Sequence, residues 1–226
     1  MKTLVLPGEP GSGWLVLIGG GEFSFGDTDE IDRFLLEKMP AGNRRIAFIP
    51  TASGSPDYAR HLGEYFRKLD PELEVANVPV YRSRDLRRGR NLEAIRSAGM
   101  VYLGGGITNL VADTLRGTAT EEAIREASAG GAVVAGIGAG AAAFGEYAAD
   151  AQRQGNVVPG FGWVPGAAVE TNYRPDASET LKRMMSAPRV TIGLGIPVST
   201  AVAIAPDRTG TILGNGQVAV VRRPAA

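Results

Sequence analysis

"GGAVVAGIGAGAAAFG", residues 130–145, decides how the rest of the chain is read. A buried-looking apolar run, Ala132 to Ala135, leads into a turn of Gly136, Ile137, Gly138, Ala139 and Gly140, and the alanine-rich stretch after it reads as a helix. Strand, tight turn, helix is the layout in which an α/β sheet holds up a reactive side chain. This turn carries no hydroxyl, thiol or carboxylate. Either chemistry happens elsewhere, or the turn serves another purpose.

Working outward, the same grammar recurs. "WLVLIGGG" (14–21), "RRIAFIPTAS" (44–53) and "GMVYLGGG" (99–106) are short apolar runs ending in glycine or hydroxyl-rich turns. "EVANVPVY" (74–81) reads as a further strand. Between them lie amphipathic stretches. "DTDEIDRFLLEKM" (27–39) places Ile31, Phe34 and Leu35 on one helical face, and "SPDYARHLGEYFRKL" (55–69) has Ser at the cap and Pro in its first turn. "LEAIRSA" (92–98) and residues 107–128 are helical, and 139–149 opens another helix. Strands of continuous Val, Ile and Leu alternating with helices predict a mostly parallel, flavodoxin-like sheet with helices on both faces. Past residue 155 the pattern changes. "DRTG" and "NG" within "TAVAIAPDRTGTILGNGQVAVVRR" (200–223) mark turns between antiparallel C-terminal strands. No linker interrupts the chain, so residues 1–226 are expected to form a single α/β domain.

Composition narrows the function classes. Lys plus Arg equals Asp plus Glu at 24 each, so no net field recruits nucleic acid or an anionic membrane. The arginine-rich run "RSRDLRRGRN" (82–91) lacks interleaved aromatics and reads as a solvated loop. The 31 glycines are well above the usual share of about 7 %, which calls for turns and close backbone approaches. Cysteine is absent, which removes disulfides and thiolate catalysis. His61 is the only histidine and sits mid-helix, a helix away from the loop edge, where it reads as a surface residue. No metal site and no cofactor are expected, and "GGGEFSFG" does not match dinucleotide-binding spacing. The N-terminal apolar run is too short for a signal peptide, and no run approaches the roughly 18 apolar residues of a membrane span. The default expectation is a soluble cytoplasmic protein.

In a parallel sheet, ligands bind beyond the carboxyl ends of the strands. The loops that gather there are 19–23, 50–55, 104–109 and 136–142. Taken in order, they resemble the serine peptidases that include cyanophycinase and dipeptidase E (α-aspartyl dipeptidase), whose fold is of the class I glutamine amidotransferase type. The likeness runs through "LIGGGEF", "IAFIPTAS", "VYLGGGITNL", "GIGAGAA" and "GLGIPVSTAVAI…ILGNGQVAVV". In that family a Ser at the turn is the nucleophile, and a His from an Asp-Gln-His-Phe-like segment is its base. The resemblance puts Gly138 at the nucleophile position and Asn172, within "ETNY" (170–173), at the base position. It puts Pro197 and Val198 where the family has an acidic pair. Glycine has no atom to attack with, and an asparagine amide takes no proton near neutral pH.

The resemblance therefore implies a degenerate triad and one remnant of the machinery: an oxyanion hole of backbone N–H groups at Gly105, Gly106 and Ala139. The leading expectation is a non-catalytic homologue that binds a small acidic or peptide-like ligand. The ligand-contact candidates are Glu22, Thr51, Ser53, Thr108, Asn109, Glu170 and Thr171. Each of the hydroxyl and amide candidates in the loops has a structural reading as well: loop and cap chemistry for Thr51 and Ser53, helix capping for Thr108 and Asn109. Two alternatives remain open, an active hydrolase rebuilt around Thr51, Ser53, Glu22 or Glu170, and a homo-oligomeric scaffold such as a homodimer.

Overall fold

The computed structural model describes residues 4–53, 55–150, 156–177 and 179–223. In chain order the elements are β1 (Leu4–Val5), β2 (Leu15–Ile18), α1 (Asp29–Lys38), β3 (Arg45–Ile49), α2 (Pro56–Leu69) and β4 (Glu74–Asn77). Then come α3 (Gly89–Arg96), β5 (Met100–Leu103), α4 (Thr108–Leu115), α5 (Ala119–Ala129) and β6 (Val133–Ile137). The remainder is α6 (Ala139–Ala142), β7 (Tyr147–Ala149), β8 (Val157–Pro159), β9 (Ala167–Thr171), α7 (Glu179–Met185), β10 (Ile192–Ile196), β11 (Thr200–Ile204), β12 (Thr209–Gly214) and β13 (Ala219–Arg222).

Eight strands form one sheet in the order β1-β12-β11-β2-β6-β5-β3-β4. From β2 to β4 every pairing is parallel, as the continuous apolar strands predict. Because side chains alternate across a strand, each strand feeds two cores. Leu15, Leu17, Ala47, Ile49, Val101 and Leu103 enter one core, with Ile95, Val111, Ile124 and Ala127 from the helices. Val16, Ile18, Ile46, Phe48, Met100 and Tyr102 enter the other, with Ile31, Leu35, Leu62 and Phe66 from α1 and α2. Helices thus cover both faces. The C-terminal β11 and β12 pair antiparallel around the "DRTG" turn, as expected.

The structure corrects three sequence expectations. The alanine-rich stretch from 139 is one turn of helix, not a long one, since β7 begins at Tyr147. Its continuation is captured by the chain beyond it: Phe161 N–H donates to Ala143 O at 2.7 Å and Gly162 N–H to Gly145 O at 2.9 Å. A second sheet, β13-β10-β9-β7-β8, follows from this capture and has no counterpart in the sequence reading. The "NG" turn joins no hairpin, because β13 leaves the first sheet and pairs with β10.

The elbow between β6 and α6 is held by close packing. A Cβ on Gly140 would stand 2.4 Å from the Leu103 carbonyl oxygen, so α6 rests directly on β5. Gly140→Ala is expected to lower unfolding free energy by about 1–3 kcal/mol in urea denaturation. Gly89→Ala, at a position where a Cβ meets nothing within 4 Å, should stay within about 1 kcal/mol of the wild type.

Candidate functional site at the carboxyl edge of the sheet

Gly138 caps α6 with φ 53° and ψ −115°. For a residue with a Cβ this is strained backbone, of order 1–3 kcal/mol, and glycine adopts it freely. Above it there is room. An added Cβ would touch only the Gly105 Cα, at 3.8 Å. The elbow therefore has room for a side chain at Gly138 and carries none.

What surrounds the elbow is fixed by three successive carbonyls at the end of β2. Ile18 O accepts from Gly138 N–H at 2.9 Å, Gly19 O from Asn172 N–H at 2.6 Å, and Gly20 O from Ser199 N–H at 2.9 Å. Those three donors come from the β6 elbow, the end of β9 and the loop between β10 and β11. Asn172 has φ 52°, a left-handed conformation that Asn tolerates better than most residues. Its amide Oδ1 lies over Gly20, only 2.3 Å from where a Cβ would stand. Pro197 and Val198 lie in the loop that ends at Ser199, and Val198 is exposed. The positions aligned by resemblance are thus gathered at one strand end.

On the other flank, Gly104 to Gly106 follow β5. Tyr58 of α2 reaches them: a Cβ on Gly104 would lie 3.0 Å from its ring. Burial raises the Tyr58 phenol above its ordinary value, partly offset by the neighbouring Gly105 backbone. Tyr58 packs edge-on against Phe48 at 4.8 Å and stacks on Phe23 at 6.1 Å. Sequence reasoning misses it, since nothing local distinguishes it from an ordinary core-facing helix residue.

The ligand-contact candidates fall into different settings. Thr51 is buried and donates its hydroxyl to Val80 O at 2.7 Å. Ser53 is exposed, donates to Pro50 O at 3.2 Å and accepts from Ser55 N–H. Thr108 is the first residue of α4, capped by Ile107, so it is not the N-cap. Asn109 is buried and donates to Asp150 at 2.7 Å. Glu170 is half-buried with its Oε2 buried and without a partner, and burial raises its pKa, partly opposed by the Leu181 backbone. Thr171 ends β9 beside Asn172 and pairs in register with Ile196.

Glu22 is exposed and caps a short 3₁₀ turn, accepting from Ser24. It lines a cavity of about 450 Å³ with Phe23, Ser24, Phe25, His61, Tyr65 and Lys68. His61 is exposed, as expected, yet it shares this cavity with Glu22, so its placement away from the loop edge is corrected. The arginine-rich loop folds around Asp85, whose carboxylate accepts from Tyr81 N–H and Arg82 N–H and pairs with Arg84 and Arg88.

Behind the Glu22 loop lies a buried carboxylate. The Asp32 carboxylate accepts from Thr28 at 2.7 Å and lies 2.8 Å from the Tyr65 hydroxyl, which is also 2.8 Å from Asp29. Thr28 and Tyr65 both donate to Asp32 Oδ2, and the single Tyr65 proton is shared between Asp32 and Asp29. Burial pushes the Asp32 carboxyl up from 3.8 to about 6, against the lowering bonds from Thr28 and Tyr65.

Comparison with known proteins gives the following. A family model for peptidase family S51 matches residues 15–212. An uncharacterized peptidase of Bacillus subtilis (strain 168), YgaJ, is 33 % identical over 132 residues, covering 56 % of this chain and 54 % of that protein. The aligned region thus spans about half the length of that relative. Among solved structures, a peptidase from an acI-B1 Actinobacterium matches with a TM-score of 0.77 at 24 % identity, covering 93 % of this chain and 91 % of that one. A candidate peptidase E protein from Listeria monocytogenes EGD-e matches with a TM-score of 0.58 at 19 % identity, covering 93 % and 98 %. These two establish likeness of fold.

The Asp32 network makes stability depend on pH. Its folded value lies above its unfolded value, so the native state holds the extra proton, and stability falls as pH rises from about 4 to about 6. The loss expected over that window is roughly 3 kcal/mol. Asp32→Asn should abolish this component and be the more stable protein at pH 8. Urea denaturation of both proteins at pH 4 and pH 8 measures it.

Proposed function

As the chain belongs to peptidase family S51, we propose that it is a member whose Ser-His-acid triad has been lost and whose framework binds a small acidic or peptide-like ligand. The observation that carries this reading is the chemistry of the converging positions. Gly138 has no side chain, Asn172 offers an amide, and Pro197 and Val198 offer hydrocarbon. A hydrolytic site needs a nucleophile, a proton acceptor and an orienting acid.

Two further features support it. Tyr58 packs on the glycine turn where an oxyanion hole is expected, its ring 3.0 Å from where a Cβ on Gly104 would stand, so the turn is partly covered. The cavity beside Glu22 offers a ligand an aromatic wall, Phe23, Phe25 and Tyr65, and charged groups of both signs, Glu22, Glu64 and Lys68. Phe25 is 84 % exposed and so accessible to a ligand in this cavity. The alternative of a rebuilt hydrolase would require Thr51 to release Val80 O and Ser53 to release Pro50 O before either could act.

Purified protein incubated with Asp-X dipeptides and a polyaspartate-arginine polymer should show no turnover above buffer. Gly138→Ser alone should also show none, because Asn172 accepts no proton, even though the elbow has room for the side chain. Turnover abolished by Thr51→Ala or Ser53→Ala would establish the rebuilt hydrolase instead. A thermal-shift screen with amino acids and dipeptides tests binding, and a ligand whose effect disappears in Glu22→Gln supports the cavity beside Glu22.

A further inference from the structure

At the opposite end of β2 from the elbow lies a separate cavity of about 350 Å³. Its apolar wall is Leu15 and Ile204, paired across β2 and β11, with Trp163 and Pro206. Two guanidinium groups, Arg125 and Arg208, also line it. They are not equivalent. Arg125 is neutralised by the buried Glu121 in a 2.6 Å ion pair and lies 4.7 Å over the Trp163 ring.

Arg208 has no such partner. It sits in the β11–β12 turn with φ 71°, and among the described residues it forms no ion pair, not even with the exposed Glu9 on the cavity wall. Its Nη2 donates to the carbonyls of Pro7 and Trp163, which fixes the group between three segments of chain. Its Nε is buried and without a hydrogen-bond partner. Desolvation alone acts on its charge and lowers its pKa, with no carboxylate near enough to oppose it. Carbonyl dipoles satisfy one nitrogen but leave the cation uncompensated. A partly buried cation without a counter-ion is costly, and an anion entering the cavity would offset that cost.

We propose that this cavity binds a small organic anion, a carboxylate or phosphate ester with a compact apolar body, whose charge is met by Arg208 and whose body rests against Trp163 and Pro206. The volume fits a compact ligand, at the lower end of the range for small-molecule pockets. A guanidinium held rigid by two carbonyls is already oriented, so little ordering cost remains for binding. The site is independent of the elbow and of the reading given for it, because it involves none of the residues at the carboxyl end of β2.

The test uses the full chain in thermal-shift and calorimetric titrations at constant ionic strength. The probes are benzoate and phenyl phosphate as anions, benzamide as a neutral isostere of benzoate, and inorganic phosphate as an anion without an apolar body. At least one of the two organic anions should raise the melting temperature by about 2–4 °C at several times its Kd. The one with the larger shift identifies the head group. Arg208→Gln should abolish the shift. Because Arg208 also ties segments together, a second variant is needed, and Gly11→Phe adds bulk at the cavity wall where a Cβ meets nothing within 4 Å. It should abolish the shift with Arg208 intact. No shift with either organic anion, an equal shift with benzamide or inorganic phosphate, or a shift retained in Gly11→Phe would overturn the proposal.

Discussion

Three adjacent carbonyl groups, those of Ile18, Gly19 and Gly20, organise this molecule. Each needs a donor where β2 leaves the sheet, and each finds one in a different part of the chain. Gly138 comes from the elbow, Asn172 from the second sheet, and Ser199 from the connection between the two sheets. A buried carbonyl left unpaired costs roughly 1–3 kcal/mol, so the three bonds jointly fix where those segments sit. The register of β9 against β10, with Glu170 opposite Gly195 and Thr171 opposite Ile196, then carries the second sheet along with them.

This arrangement separates two things that an enzyme normally needs together. Backbone bonds hold Gly138 at the elbow, Asn172 at the end of β9 and Ser199 in the β10–β11 loop in place. The side chains supply the chemistry. In the proposed function the sequence keeps the first and departs from the second: Gly138 takes elbow torsions that only glycine adopts freely, and Asn172 adopts a left-handed conformation over Gly20. Scaffold geometry and reactivity can be lost independently, and membership of peptidase family S51 is therefore compatible with a site that only binds.

Much of the fold is legible in the sequence because its signals are local. The parallel strands are continuous apolar runs, and their alternate side chains divide between two cores as the period of a strand requires. The second sheet is not legible. Its strands are short, and the bonds that end α6 early, from Phe161 and Gly162 to Ala143 and Gly145, join residues about 17 positions apart that carry no shared motif. The site divides along the same line. Gly138 and Asn172 are singled out by resemblance in motif order, whereas the packing of Tyr58, the cavity wall at His61 and the Asp32–Tyr65 contact depend on how α1 and α2 pack. Asp32 and Tyr65 stand 33 residues apart, and their sequences give no sign that they are hydrogen-bonded. Thr51 is legible as a hydroxyl at a strand end, but its bond to Val80 O, 29 residues away, is not.

The central claim is that the elbow holds no activated nucleophile, and no other hydroxyl replaces it. Labelling the folded protein with a fluorophosphonate, followed by intact-mass and peptide mass spectrometry, asks this without assuming a substrate. Activated serines form a covalent adduct with such reagents, and unactivated hydroxyls do not. The account predicts an unchanged mass for the native protein. A stoichiometric adduct on Ser53, Ser24 or any other serine that disappears on denaturation before labelling would contradict it.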